Sequence, residues 1–298
     1  MKSKRLYGNT LLMITAVIWG TAFVAQSVGA DHVGPFTFTA SRSFVGGFVL
    51  IPVIFLMDML RKKEGGTAPK GDRRTLILGG VLCGTALCIA SVFQQIGISG
   101  GTSSGKAGFI TALYILVVPM LGLLLGKKVR PIIWLCVMMS VGGLYLLCVT
   151  DGFSSVQLSD LFVLCCAFCF AVHIQIIDHF SPKVDGVRMS CIQFFVCGIL
   201  SAVPAIFSEP FAVADLQAAA LPILYAGVMS SGVAYTLQIV GQKYSDPTIA
   251  SMIMSLESVF AMLAGAVILS QVPSGREILG CVIMFAAIII AQLPEKQK

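Results

Sequence analysis

The chain has 298 residues, of which 57% are hydrophobic and 11% are charged, and its mean hydropathy is +0.92. Soluble domains average about 25% charged residues, so this chain has too few charges to cover a surface that faces water. The formal net charge of +6 comes from short basic clusters between apolar runs, unlike the basic stripes with interleaved aromatics of nucleic-acid-binding proteins, so we predict a membrane protein with no nucleic-acid partner.

Ten apolar segments are predicted to cross the bilayer, because each approaches the about 20 residues that a helix needs for this purpose. The breaks between them contain turn-forming or charged residues, such as Gly34-Pro35, Asp246-Pro247 and the polar run 61–74. The first segment could pass for a secretory signal, but the nine spans that follow favour its retention. In chain order, spans 1 to 10 are expected at 8–28, 35–58, 75–98, 102–125, 130–149, 158–178, 187–207, 217–241, 247–269 and 275–293.

Lysine and arginine residues are distributed unevenly between the two sets of loops. With the N-terminus inside, 17 of the 20 fall in inner regions and only Arg276 falls in an outer loop, while Arg42 and Lys106 lie within spans. Positive residues that flank a span stay on the cytoplasmic side. The sequence therefore predicts a multi-pass protein of the cell (inner) membrane, in contact with the lipid bilayer and with both termini in the cytoplasm.

The two halves of the chain contain matching segments. "QQIG" at 94–97 matches "QIVG" at 238–241, and "PVIF" at 52–55 matches "PAIF" at 204–207, with offsets of 144 to 152 residues. Because five is an odd number, a second five-span copy enters the membrane from the opposite side. We therefore predict an all-α fold of ten transmembrane helices, built from two inverted five-helix repeats, residues 1–150 and 151–298, that form one transmembrane domain. Such repeats are typical of secondary transporters that work by alternating access.

Several segments, taken in order, resemble the EamA family of the drug/metabolite transporter superfamily. They are "WGTAF" at 19–23, "PFTFTASR" at 35–42, "AGFITALYILVVP" at 107–119, "YAGVMSSGVAYTLQIVGQKY" at 225–244, "SLESVFAMLAG" at 255–265 and "GREILG" at 275–280. The resemblance implies a ten-helix permease that exports small metabolites such as amino acids or drug-like compounds. Two family features are missing, because the usual Glu-Pro of span 9 is Glu257-Ser258 here and span 4 ends without the common acid.

The resemblance also implies a substrate cavity lined mainly by spans 1, 3, 4, 6, 8 and 9, without saying which helix faces line it. The glutamines on these spans could hydrogen-bond a zwitterionic substrate or join helices to each other. The aromatic residues could stack on a substrate, or serve as packing residues and interface anchors. The candidate residues on these spans are Trp19, Gln94, Gln95, Lys106, Tyr114, His173, Tyr235, Gln238 and Glu257.

Three ionisable residues lie within predicted spans, where a charge costs about 2.5 to 3.5 kcal/mol and usually faces a cavity or a partner. Glu257 lies nine residues after Thr248, about 13 Å along a helix and hence near the midplane. We predict that it either binds a cationic group or a proton, or acts as a buried hydrogen-bond hub. Arg42 and Lys106 are each expected to snorkel or to pair with an acid, with an anionic substrate group as the alternative partner.

Two further patterns suggest chemistry that we do not expect. The stretch "GGTSSGKAG" at 100–108 nearly matches a phosphate-binding loop, but Ala107 stands where the motif needs serine or threonine, and no strand precedes it. Cys166, Cys169 and His173 share one helix face and could bind zinc or copper, but no fourth ligand is evident. We expect no metal, no cofactor and no disulfide, since the ten cysteines all lie in or at the ends of apolar segments.

The sequence thus favours a secondary transporter for a small-molecule substrate over an enzyme, and leaves proton coupling and a homodimer open. One alternative is an intramembrane enzyme acting on lipid-linked substrates, which would need catalytic residues clustered at one interface. His32, His173 and His179 are instead scattered in depth. The other alternative is a non-transporting membrane scaffold, against which Glu257 argues only modestly.

Overall fold

The computed structural model describes residues 2–63, 72–102, 104–148, 157–210, 212–268 and 274–293. Every regular element within these ranges is helical. Nine of the helices described there are long and apolar enough to cross a membrane, and a further helix contains the somewhat shorter apolar stretch Pro131–Leu146. The predicted all-α membrane fold is confirmed, whereas the predicted repeat boundary between residues 150 and 151 lies outside the described residues.

Seven of the predicted spans are single helices. Spans 1 and 2 extend beyond their predicted ends, because helical hydrogen bonding continues through the basic residues that flank each apolar stretch while water solvates their charges. The short helix Val213–Ala218 precedes span 8. The uninterrupted spans are 1 (Lys2–Ala30), 2 (Pro35–Lys63), 3 (Arg73–Ser99), 5 (Pro131–Cys148), 6 (Leu158–Phe180), 7 (Gly186–Ser208) and 10 (Gly275–Gln292).

The other three spans are interrupted. Span 4 consists of Ser104–Ala112 and Tyr114–Leu124, and span 9 consists of Pro247–Met254 and Glu257–Ile268. At each break a tighter hydrogen bond replaces the α-helical one, as where the Leu113 N–H donates to the Ile110 carbonyl. Irregular backbone at membrane depth is tolerated where it is buried in protein or lines a cavity. Span 8 contains Ala220–Tyr225, a π-helix over Ala226–Tyr235, and Thr236–Gln242.

The ends of the spans gather on two faces of the bundle. Arg5, Lys127 and Leu293 line one cavity, so the first and last spans reach the same side, which we call the terminal face. On the other side, which we call the distal face, Thr102 at the start of span 4 donates a hydrogen bond to Asp160 at the start of span 6.

The packing of the helices follows the two-repeat arrangement. Span 3 packs along span 6. Span 8, which is the counterpart of span 3 in the second half, packs along span 1. Span 3 also packs on span 7, as span 8 does on span 2. Spans 2 and 7, and spans 5 and 10, pack on their own counterparts. When two repeats of opposite orientation pack around a common axis, each contact between a span of one half and a span of the other has such a counterpart.

Carboxylates join spans 2 and 7 at both faces of the bundle. Asp58, near the end of span 2, forms an ion pair of 2.5 Å with Arg188 in the first turn of span 7. Glu209, directly after span 7, accepts the N–H groups of Phe36 and Thr37 in the first turn of span 2, each at 2.8 Å. Asp58 and Glu209 are 151 residues apart, within the repeat offset. In both halves an acid at the end of one span therefore meets the start of the other, through an ion pair in one half and through backbone N–H groups, which favour an acid at a helix start, in the other.

Gly20 allows span 1 to approach span 9 closely. A Cβ atom at this position would lie 2.7 Å from the Glu257 carbonyl oxygen and 2.8 Å from the Ala261 amide nitrogen. Both are backbone atoms that cannot rotate away, so we expect Gly20→Ala to destabilise the fold by about 1–3 kcal/mol. Gly142→Ala is the matched control, because a Cβ atom there meets nothing within 4 Å. Thermal unfolding in detergent measures both variants, and equal midpoints would contradict the prediction.

Candidate functional site

A buried cavity lies between the two halves of the bundle. Its volume is about 30 Å³, which holds about two water molecules, since one needs about 10–15 Å³. The cavity is therefore narrow in this conformation and has to widen before it can hold a metabolite. Its wall contains seven of the ten candidates from the sequence: Trp19, Arg42, Gln94, Tyr114, Tyr235, Gln238 and Glu257.

Tyr114 and Glu257 meet inside this cavity, and each is the first residue of its helix after the break in span 4 or span 9. The Tyr114 hydroxyl donates to Glu257 Oε1 at 3.4 Å, and Glu257 is only 4% exposed. The two residues are 143 positions apart, close to the 144 that separate Gln94 from Gln238, so they occupy related places in the two halves. The breaks thus position Glu257 where the two halves meet.

Arg42 reaches the same cavity from span 2, which the family resemblance did not include among the lining spans. It is only 3% exposed, so it does not snorkel to the membrane surface. Among the described residues it has no ion pair within 4 Å, and its guanidinium lies 6.0 Å from the centre of the Phe38 ring. A buried guanidinium without an acid partner is unfavourable and presents its donors to whatever enters the cavity. The cavity therefore contains one cation and one acid, from different halves of the chain.

Aromatic rings form another part of the wall. The Trp19 and Tyr235 ring centroids are 4.6 Å apart, and Tyr235 also contacts the ring of Phe194 at 5.6 Å. Tyr235 is the last residue of the π-helix, a rare element that often occurs at functional sites. The Trp19 indole N–H has no acceptor among the described residues. This wall offers a stacking surface together with an unpaired donor.

Two glutamines join neighbouring helices at the two ends of the cavity. Toward the distal face, Gln95 Nε2 of span 3 donates to the Gln26 carbonyl of span 1 at 3.1 Å. Toward the terminal face, Gln242 Nε2 of span 8 donates to the Ile174 carbonyl of span 6 at 3.2 Å. Gln26 and Ile174 both line the cavity. The donors are 147 positions apart and the acceptors 148, so these two contacts, which we call the glutamine clasps, are counterparts in the two halves.

Three candidates do not line the cavity: Gln95 in its clasp, Lys106 and His173. Lys106 forms an ion pair of 2.5 Å with Asp160, in agreement with one of the two expected outcomes for this residue. The near match to a phosphate-binding loop is thus a junction between two membrane helices, with the span 3 helix directly before it.

His173 is fully buried and its Nε2 lies 3.1 Å from Gln193 Oε1. Cys166 Sγ lies 3.9 Å from the Thr111 hydroxyl. No group of three His, Cys, Asp or Glu side chains that could hold a metal occurs within the described ranges. The partners of His173 and Cys166 are thus an amide and a hydroxyl, which suit hydrogen bonding between helices.

Sequence reasoning missed several lining residues on spans that it had identified. Trp19, Phe23 and Gln26 follow the spacing i, i+4, i+7, so they share one face of span 1, and this signal was available. Thr111 and Ser230 are small and occur among many similar residues, so the sequence offered no signal for them. The other lining residues that were missed are Ala22, Phe170, Ile174 and Met254.

Comparison with known proteins bears directly on this architecture. The model of the EamA-like transporter family matches residues 6–149 and 157–292, once in each half of the chain. The chain belongs to this family. It is therefore a multi-pass membrane protein and a transporter of the drug/metabolite kind, embedded in a lipid bilayer and acting on a small molecule.

Relatives of this EamA-family transporter extend over almost its whole length. An uncharacterized transporter of Archaeoglobus fulgidus is 28% identical over 97% of this chain and 87% of that protein. A WAT1-related chloroplastic protein of Arabidopsis thaliana is 25% identical over 96% of this chain and 69% of that protein. A crystal structure with 21% identity aligns with a TM-score of 0.75 over 95% of this chain and 96% of the other, which supports the fold. The family and the name of the first relative favour a transporter over the enzyme alternative.

Proposed function

We propose that this EamA-family transporter exports small zwitterionic metabolites, such as amino acids or drug-like compounds that carry both charges, by alternating access. The observation that carries the proposal is that Arg42 and Glu257 share one cavity. A guanidinium binds a carboxylate through two parallel hydrogen bonds, and a carboxylate binds an ammonium group. The Trp19 and Tyr235 rings would receive the apolar part of the substrate.

Alternating access requires the cavity to open toward one face while it stays closed toward the other. Both glutamine clasps are formed here around a cavity of about 30 Å³, which fits an occluded state between the two open states. Loss of the Gln95 clasp would free spans 1 and 3 toward the distal face. Loss of the Gln242 clasp would free spans 6 and 8 toward the terminal face.

Removal of one clasp is expected to open one face only. Gln95→Ala should widen the distal distance between spin labels at positions 31 and 99, because spans 1 and 3 end there. Gln242→Ala should widen the terminal distance between labels at 183 and 243, where spans 6 and 8 end. Pulsed electron spin resonance, on a chain whose ten cysteines are replaced, measures both pairs of labels in both variants.

Gln217→Ala is the control for both variants, because the Gln217 side chain is exposed and does not line the cavity. It should leave both distances at their original values. If both clasp variants changed the distance within the same pair of labels, the assignment of one clasp to each face would be contradicted.

We further propose that the terminal face is cytoplasmic and that export is coupled to protons through Glu257. Support for the orientation comes from Arg5, Lys127, Lys128 and Arg130, which all line the terminal face, since such residues stay in the cytoplasm. Protonation of Glu257 from outside would release the substrate ammonium group there. Loss of that proton to the cytoplasm would restore the carboxylate for the next substrate.

Transport by the purified chain in proteoliposomes tests the proposed function. A metabolite screen of cells with and without overexpression selects the compounds to be tested. We expect zwitterionic compounds to exchange across the vesicle membrane, and we expect a pH gradient that is acid on the distal side to drive them there. Exchange that never exceeds the rate of protein-free vesicles, for every compound selected, would overturn the proposal.

A further inference from the structure

A second cavity opens on the terminal face, and we call it the basic vestibule. Its volume is about 460 Å³, within the range of small-molecule sites. Four cationic side chains line it, Arg5, Lys127, Lys128 and Arg130, together with one acid, Asp246. The wall belongs to spans 1, 4, 5, 6, 9 and 10 and to the loops that connect them.

The single acid of the vestibule wall already has partners. Asp246 Oδ1 accepts the N–H groups of Thr248 at 2.9 Å and Ile249 at 3.4 Å, and so caps the start of span 9. Its charge therefore compensates the positive end of that helix. Among the described residues Asp246 forms no ion pair with any of the four cations.

Two of the four cations are held in fixed positions. Lys127 Nζ lies 2.5 Å from Asp178 and donates to Gln175 Oε1 at 2.9 Å. Arg130 donates to the carbonyls of Ala291 at 2.7 Å and Leu293 at 3.2 Å, at the end of span 10. These contacts place both side chains at the vestibule wall, where, within the described ranges, the Arg130 charge meets carbonyl dipoles and no acid lies within 4 Å.

Arg5 and Lys128 have no acid within 4 Å in the described part of the chain. The Nη2 atom of Arg5 is shielded from solvent and lacks an acceptor among the same residues. Buried donors in proteins almost always have an acceptor. A shielded guanidinium nitrogen beside a positively charged cavity therefore indicates a ligand that brings negative oxygen atoms.

We propose that the basic vestibule binds a phosphate group, supplied either by a soluble phosphate compound or by the headgroup of an anionic phospholipid. The planar guanidinium of Arg5 offers paired donors that match phosphate oxygens, and the lysine ammonium groups add charge. The vestibule is separate from the cavity that contains Arg42 and Glu257. The proposal therefore does not depend on the proposed substrate. Because Arg5 belongs to span 1 and Lys128 follows span 4, and both spans also line the cavity that contains Glu257, a bound phosphate group would join these two spans at the terminal face.

Thermal unfolding of the full chain tests the site in two arms. In the first, inorganic phosphate is titrated in detergent against chloride at constant ionic strength. In the second, nanodiscs of phosphatidylglycerol are compared with nanodiscs of phosphatidylcholine. We expect a saturable rise of the midpoint in at least one arm. Arg5→Gln with Lys128→Gln should weaken this effect about tenfold or more, because charge-assisted hydrogen bonds are lost.

Lys62→Gln with Lys63→Gln is the control, because these exposed lysines at the end of span 2 belong to the terminal face but not to the vestibule. It removes the same charge and should keep the effect. If the double variant of the vestibule fails to fold, Lys128→Gln alone replaces it, since Lys128 is exposed.

The two arms distinguish the two sources. A response to inorganic phosphate alone indicates a soluble ligand, a response to phosphatidylglycerol alone indicates the lipid, and both support the proposal. No response in either arm, or equal losses in the vestibule and control variants, would overturn it. A response that appears only after Glu295→Gln would mean that a carboxylate of the chain itself fills the site, which would also overturn it.

Discussion

Transport by a Glu257→Gln variant is expected to fall at least about tenfold and to become independent of pH, because the loss of an ionic partner costs the substrate about 1.5–3 kcal/mol. Glutamine has nearly the shape of glutamate and can still accept the Tyr114 hydrogen bond. It can neither carry the charge that binds an ammonium group nor exchange a proton. Counterflow in proteoliposomes at several pH values measures both effects.

Glu277→Gln is the matched control for this variant. Glu277 is half-buried outside the cavity, and its carboxylate accepts the Ser274 N–H at the start of span 10. Glutamine serves equally well at this position of a capping box, so transport and its pH dependence should stay unchanged. Full activity of Glu257→Gln across the pH range would reject both the binding and the proton role of Glu257.

The alternative role for Glu257, a hydrogen-bond hub, makes a different prediction for stability. A hub holds spans 4 and 9 together through Tyr114, so Tyr114→Phe would lower the unfolding midpoint, while Glu257→Gln, which still accepts this hydrogen bond, would keep both the midpoint and transport. A substrate-binding carboxylate would instead show a transport defect at an unchanged midpoint. Thermal unfolding of the two variants beside the counterflow assay separates these roles.

Replacement of Arg42 by glutamine is expected to change which compounds are transported. Compounds with a carboxylate should lose at least about tenfold in exchange rate, because their charged partner in the cavity is removed. Amines of the same shape without the carboxylate should be affected far less, since Glu257 remains. Arg42→Lys should be intermediate, because lysine keeps the charge but cannot form two parallel hydrogen bonds. Paired counterflow of an amino acid and its decarboxylated amine measures the ratio.

Arg276→Gln controls for the general loss of a positive charge. Arg276 is exposed near the start of span 10, with its guanidinium 5.3 Å from the centre of the Tyr145 ring. Its replacement should leave the ratio between the amino acid and the amine unchanged. An equal fall of both compounds in Arg42→Gln would show that Arg42 stabilises the cavity without recognising the carboxylate.

The contrast between Arg42 and Lys106 shows where sequence reasoning reaches its limit. Both are cations inside predicted spans, and the same outcomes were open to both. Lys106 has Asp160 beside it and pairs, whereas Arg42 has no acid within 4 Å among the described residues and lines the cavity. Which outcome applies depends on the neighbouring helix, and the neighbour is not encoded near either residue.

Glu257 shows the opposite case, in which the sequence was sufficient to select the residue. An acid near the middle of an apolar span is unfavourable unless it faces a cavity or a partner, so its depth alone marked it. Its meeting with Tyr114 could not be predicted, because it depends on a break in each of spans 4 and 9. Local sequence gives weak signals for such breaks, since Leu113, Ser255 and Leu256 are ordinary residues of membrane helices.

The sequence by itself determined the membrane class, the number and approximate limits of the spans, and the presence of two related halves. These properties follow from apolar length, from charge and from self-similarity, which are readable along the chain. Only the tertiary structure decided that Arg42 lines the cavity and that His173 does not, and it alone brought the glutamine clasps and the basic vestibule together. Helices in a bilayer are apolar on almost every side, so their pattern does not show which face meets protein; that is fixed by close packing between helices distant in the chain.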